Sequence, residues 1–94
     1  MVTLATTTDV YNTCLHILKK RNYELRIEEG ESEIFPIKWF AKKDNFEFIG
    51  HNPVELLGLI AVYEYNSPVD ASNPYWWLIE GEDVYDELLE NFIE

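Results

Sequence analysis

The chain has 94 residues, of which 47% are hydrophobic and 15% aromatic, with a single cysteine and a formal net charge of −11. That length fits one domain, and that apolar content excludes a disordered chain. One thiol excludes an internal disulfide framework and a multi-thiolate metal site, and the acidity argues against DNA, RNA and anionic lipid as partners.

The charge is unevenly placed. Residues 1–47 carry seven basic and eight acidic groups, whereas residues 48–94 carry ten acidic groups and no Lys or Arg. Such a field favours a basic partner, and it also keeps a small protein dispersed. The first residues, Met1-Val2-Thr3-Leu4, lack the basic start and apolar core of a signal peptide. The apolar stretch Leu56 to Tyr63 is far below the ~20 residues that span a bilayer. The expected setting is the cytosol.

Along the chain, Thr7, Thr8 and Asp9 read as a helix start, with hydroxyls to cap and an acid in the first turn. Val10, Cys14, Ile17 and Leu18 recur at helical spacing, and Lys19-Lys20-Arg21 suits the negative end of the helix dipole, predicting a helix over 8–21. Asn22 can take a left-handed cap. Tyr23 to Glu28 alternates apolar and charged residues, the period of a half-buried strand. Gly30-Glu31-Ser32 turns the chain into a second strand from Ile34 to Lys43, with Pro36 confined to its start or an exposed edge.

Asp44-Asn45 supplies the residues a two-residue hairpin loop needs. That loop pairs Lys43 with Phe46, Lys42 with Glu47, Ala41 with Phe48 and Phe40 with Ile49. Ile37, Trp39, Ala41, Phe46 and Phe48 then share one face. The opposite face carries Phe40 and Ile49 among charges, so a cover over both is expected.

Asn52-Pro53-Val54-Glu55 combines a cap, a proline at the first helical position and a capping-box glutamate. The following helix, 53–65, is apolar almost all round, which predicts burial on more than one side, with Gly58 allowing close approach to a neighbour. Tyr75 to Ile79 reads as a short fourth strand from its aromatic content, although Asn73-Pro74 repeats the helix-start pattern. Asp83 caps a last helix over 83–93, whose apolar stripe is Val84, Leu88, Leu89, Phe92 and Ile93. The predicted class is α+β: an N-terminal helix, then a three-stranded antiparallel meander with a short strand at 75–79, packed against two further helices.

In topology alone, a helix, a three-strand meander and a helix resemble double-stranded RNA-binding domains. The lysine cluster such domains need at their second helix is missing, and topology does not transmit function.

No residue set here makes a convincing catalytic constellation. Cys14 and His16 lie about 200° apart around a helix and do not converge. Cys14 reads as a small buried hydrophobe. His51 stands at a strand-to-helix junction and marks a ligand pocket in an alternative reading as a small-ligand or enzyme subunit. Glu80, Glu82, Asp83, Asp86, Glu87 and Glu90 lack the ligand spacing of a calcium loop and read as charge around a helix start. The four glycines match no nucleotide fingerprint, so no cofactor is expected. Tyr75, Trp76 and Trp77 are the most suggestive feature: two adjacent Trp side chains cannot easily enter one core, and an exposed one suits an interface.

The leading expectation is therefore a non-catalytic interaction module. Tyr75, Trp76 and Trp77 anchor the contact, and the acids from Glu80 to Glu90 attract a basic protein, as in an immunity- or antitoxin-type inhibitor. A homodimer whose acidity serves solubility, with Phe40, Ile49 and one Trp at the contact, is a third reading.

Overall fold

Three antiparallel strands in the order β1-β2-β3 form the centre of the computed structural model, which describes residues 1–93. The elements run α1 (Thr8–Lys20), β1 (Glu24–Glu29), β2 (Ile37–Lys43), β3 (Phe46–Gly50), α2 (Pro53–Tyr65) and α3 (Val84–Ile93), an α+β fold.

Helix α1 begins at the expected position, but its Thr7 cap makes no side-chain hydrogen bond. The helix ends as predicted. Asn22 takes φ 70°, and the Tyr23 amide donates back to the Leu18 carbonyl. The β2–β3 register is the predicted one throughout, from Lys43 opposite Phe46 to Phe40 opposite Ile49, with Asp44 supplying the left-handed residue at φ 55°. Strand β2 is shorter than expected, starting at Ile37, because residues 31–35 bend before Pro36. Gly30 closes this connection by donating its amide to the Pro36 carbonyl at 2.8 Å.

Helix α2 opens as its sequence dictates. Asn52 Oδ1 accepts from the Glu55 amide at 2.9 Å, and Pro53 occupies the first turn. A fully paired cap of this kind contributes about 1 kcal/mol. Helices α1 and α2 cover one face of the sheet, where Leu18, Tyr23, Ala41, Phe48, Leu56 and Ile60 form the core. Trp39, Phe46, Tyr63 and Trp76 pack around it.

Several expectations are corrected. Residues 75–79 form no strand; Pro74 to Trp77 is a turn, in which Asn73 Oδ1 accepts from the Tyr75 amide and Leu78 donates to the Tyr75 carbonyl. The Asn-Pro start outweighs aromatic β-propensity, since propensity there depends on a neighbouring strand to pair with. Helix α2 is buried on one side only, through Pro53, Leu56 and Ile60, while Leu59, Val62 and Tyr65 face solvent. A Cβ on Gly58 would meet nothing within 4 Å, so that glycine serves no close packing within the chain. Helix α3, expected to pack on the sheet, has its residues exposed from Val84 to Phe92.

The cover over Phe40 on the far face of the sheet is a single side chain. Arg26 stands opposite Phe40 in the β1–β2 register and lays its guanidinium 3.9 Å from the ring centroid. Glu47 and Glu28 hold that cation, each at 2.9 Å, and raise its pKa further. Phe40 is thereby 5% exposed, which removes it from any dimer contact, while Ile49 stays half exposed.

Tyr23 lies beneath the ion pair of Arg21 and Glu64 (2.6 Å) and donates its hydroxyl to Glu64 at 3.3 Å. Burial, then the Glu64 charge and hydrogen bond, push its pKa up from 10.0 to about 12. Because the folded state holds this proton more tightly, the associated stability is complete below pH 10 and is lost as pH rises towards 12. In an ultraviolet titration of the six tyrosines, we expect a last phase near pH 12 that disappears in Tyr23→Phe and returns to the ordinary range in urea.

Candidate functional site

Two regions collect the residues singled out from the sequence: an arm formed by residues 67–93, and a cleft beside His51.

The arm leaves α2 after Asn66, and Trp76 anchors it. That indole meets Phe46 and Tyr63 edge-on, with ring centroids 6.0 and 5.8 Å apart. Trp77 points away and is 49% exposed, beside Tyr75 with centroids 6.5 Å apart. One adjacent Trp thus packs within the chain and the other faces solvent, the division expected of them, although a turn rather than a strand produces it.

Beyond the turn, Glu80 and Glu82 are exposed, and Asp83 caps α3 by accepting from the Asp86 amide at 2.9 Å. At about 100° per residue, Val84, Tyr85, Leu88, Leu89 and Phe92 fall within one arc of α3 of about 140°. Asp86, Glu87 and Glu90 occupy the opposite side. Leu88 is 64% and Phe92 86% exposed, so the apolar arc has no cover. Helices shorter than about 12–15 residues depend on packing one face, and α3 has ten residues.

The cleft near His51 lies on the sheet face that Arg26 roofs, not between the sheet and α2, where Leu56 and Ile60 leave no room. It encloses about 510 Å³ between the bend at Glu31 to Phe35 and the side chains of Lys38, Ile49 and His51. His51 stacks on Phe35 at 3.8 Å, and its Nδ1 lies 3.2 Å from Glu55 Oε1. Lys38 pairs with Glu31 at 2.7 Å, and that hydrogen bond draws the Glu31 pKa down. Lys38 and Glu31 therefore partner one another, while His51 is engaged by Glu55 from outside the cleft's lining.

Cys14 is buried in α1 and His16 is exposed, and the two do not meet. Among the described residues, no three His, Cys, Asp or Glu side chains converge as a metal would require. No helix among them is long and apolar enough to cross a membrane.

Sequence reasoning missed two contributors on the cleft's face of the sheet: Arg26 and Phe35. Arg26 shares the parity of Glu24 and Glu28, the one hint that it belongs to the charged face. Its place over Phe40 follows only from the β1–β2 register. No protein-family model matches the chain, and neither does any curated protein or solved structure.

Proposed function

We propose that this protein is a non-catalytic interaction module of the cytosol, whose arm of residues 67–93 binds a protein partner. The observation that carries this reading is α3, an amphipathic helix with every side chain from Val84 to Phe92 exposed. Its apolar arc supplies contact area, with Tyr75 and Trp77 as aromatic anchors beside it. Its acids, with Glu80, Glu82 and Asp83, select a basic surface and speed association, while they repel nucleic acid and anionic membranes. An inhibitor of a basic nuclease, in which carboxylates stand where substrate phosphates would, is one form of such a module.

This reading is favoured over a small-ligand site at the His51 cleft, because Glu31 engages Lys38 there and Phe35 and Glu55 engage His51. The test is capture at low salt on immobilised wild-type chain and on Leu88→Glu, with retained proteins identified by mass spectrometry. A basic surface retained by wild type, lost on Leu88→Glu and weakened about ten-fold or more by raised salt is the expected result. Retention that neither the substitution nor salt alters would sink the proposal.

A further inference from the structure

We propose that the surface on which α3 rests is α2 of a second copy of this chain, each copy giving its arm to the other. This names the partner of the arm and so rests on the reading of the arm as a binding segment.

Helix α2 presents the matching surface. Ala61, Tyr65, Gly58, Val62 and Leu59 form a solvent-facing arc of about 160° whose only charge is Glu55, at its first turn. An apolar groove of about 260 Å³ runs between this arc and Ile79 of the same chain's arm. Each copy therefore has an uncovered apolar helix face and a second one that could cover it. A mutual exchange closes with two copies and leaves neither face open.

The C-terminal end of α2 adjoins the cationic end of α1 through the Arg21–Glu64 pair. Lys19 and Lys20, in the last turn of α1, are exposed. Glu64 stands about 140° around the helix from the centre of the α2 arc, so these cations flank the opposite side of α2, and the proposed contact rests on its apolar area.

The surface area leaves room for such an interface. A folded monomer of 11.1 kDa should expose roughly 5,700 Å², whereas this chain exposes 7914 Å². Its radius of gyration, 15.6 Å, exceeds the roughly 12 Å of a closed domain of this length. The excess, about 2,200 Å² per copy, is shared between the exposed residues 1–7 and the uncovered α2 and α3 faces, and it is more than the roughly 1,000 Å² per copy that the smallest obligate interfaces bury.

The test is the mass of the full chain in solution at about 0.15 M salt, where repulsion between two acidic copies is screened, by light scattering and sedimentation, for wild type, Val62→Glu, Leu88→Glu and an equimolar mixture of the two variants. Both positions are exposed, so circular dichroism should show an unchanged fold. Wild type is expected near 22 kDa, twice 11.1 kDa, and each variant should dissociate at least about ten-fold more readily. The mixture should recover a dimer in part, because the Val62→Glu chain keeps an intact α3 and the Leu88→Glu chain an intact α2 arc. A dimer indifferent to both substitutions, or two variants that do not complement, would overturn the exchange. A monomer also overturns it, and amide exchange then separates the two claims. Fast exchange in α3 leaves the arm open to an unlike partner. Slow exchange that Val62→Glu accelerates shows the arm closed on its own α2, and the interaction reading fails too.

Discussion

Leu56→Ala is expected to lower the stability of the domain by about 4–5 kcal/mol, the upper part of the range for a fully buried leucine. Leu56 has no exposed surface and lies in the core with Leu18, Ala41, Phe48 and Ile60. Two features place it high in that range. The core is small, so the loss of one side chain removes a large share of its contacts. Its neighbours sit on both helices and the sheet, so none can close the cavity without moving an element. Domains of this size commonly hold only ~5–10 kcal/mol. Urea unfolding at one fixed protein concentration should show the midpoint falling steeply. Ile49→Ala, at a half-exposed position, should move it by less than about 1 kcal/mol. Equal midpoints for the two variants would mean that the core is not where the packing places it.

Gly30→Ala is the second large effect, and it arises from backbone space rather than lost packing. A Cβ at Gly30 would lie 1.8 Å from the Phe35 carbonyl oxygen and 2.9 Å from the Ile37 nitrogen. Both obstacles are main chain, so no side-chain rotation relieves them. The Gly30–Pro36 hydrogen bond must open, and with it the end of the ladder where Glu29 faces Ile37. We expect a loss of about 3 kcal/mol. Fraying confined to the 30–37 connection should accompany it, with faster amide exchange there and unchanged exchange in α1. Phe35 would also leave its stack on His51, which a shift of the His51 ring resonances would report. A midpoint within about 0.5 kcal/mol of wild type would contradict the tight closure at Gly30.

What the sequence revealed follows the range of the physics involved. The Asn52 cap, the left-handed Asn22, the Asp83 cap and the β2–β3 register all depend on residues a few positions apart, and each is as its pattern implied. The β1–β2 register was not legible, because residues 30–36 carry no two-residue turn to set it. With it were lost the Arg26–Phe40 contact and the Phe35–His51 stack.

The helices show a different limit. Periodicity identifies the apolar side of α3 and the apolar girth of α2, but not whether anything covers them. A stripe such as Leu88 and Phe92 reads the same whether its cover lies in the chain or outside it. For the candidate site, the split between Trp76 and Trp77 could be anticipated from their adjacency. The rings that receive Trp76, Phe46 and Tyr63, could not, since they lie far from it in the chain.

The guanidinium over Phe40 bears on how the chain is apportioned. A sheet with an aromatic residue on each face ordinarily needs a layer of structure on both sides. Here one side chain from an edge strand, steadied by two carboxylates, does the work of the second layer. The meander with α1 and α2 is therefore nearly complete by Asn66, and Trp76 closes it over Phe46 and Tyr63. Beyond that anchor the described residues add nothing to the core cluster, and α3 is exposed from Val84 to Phe92.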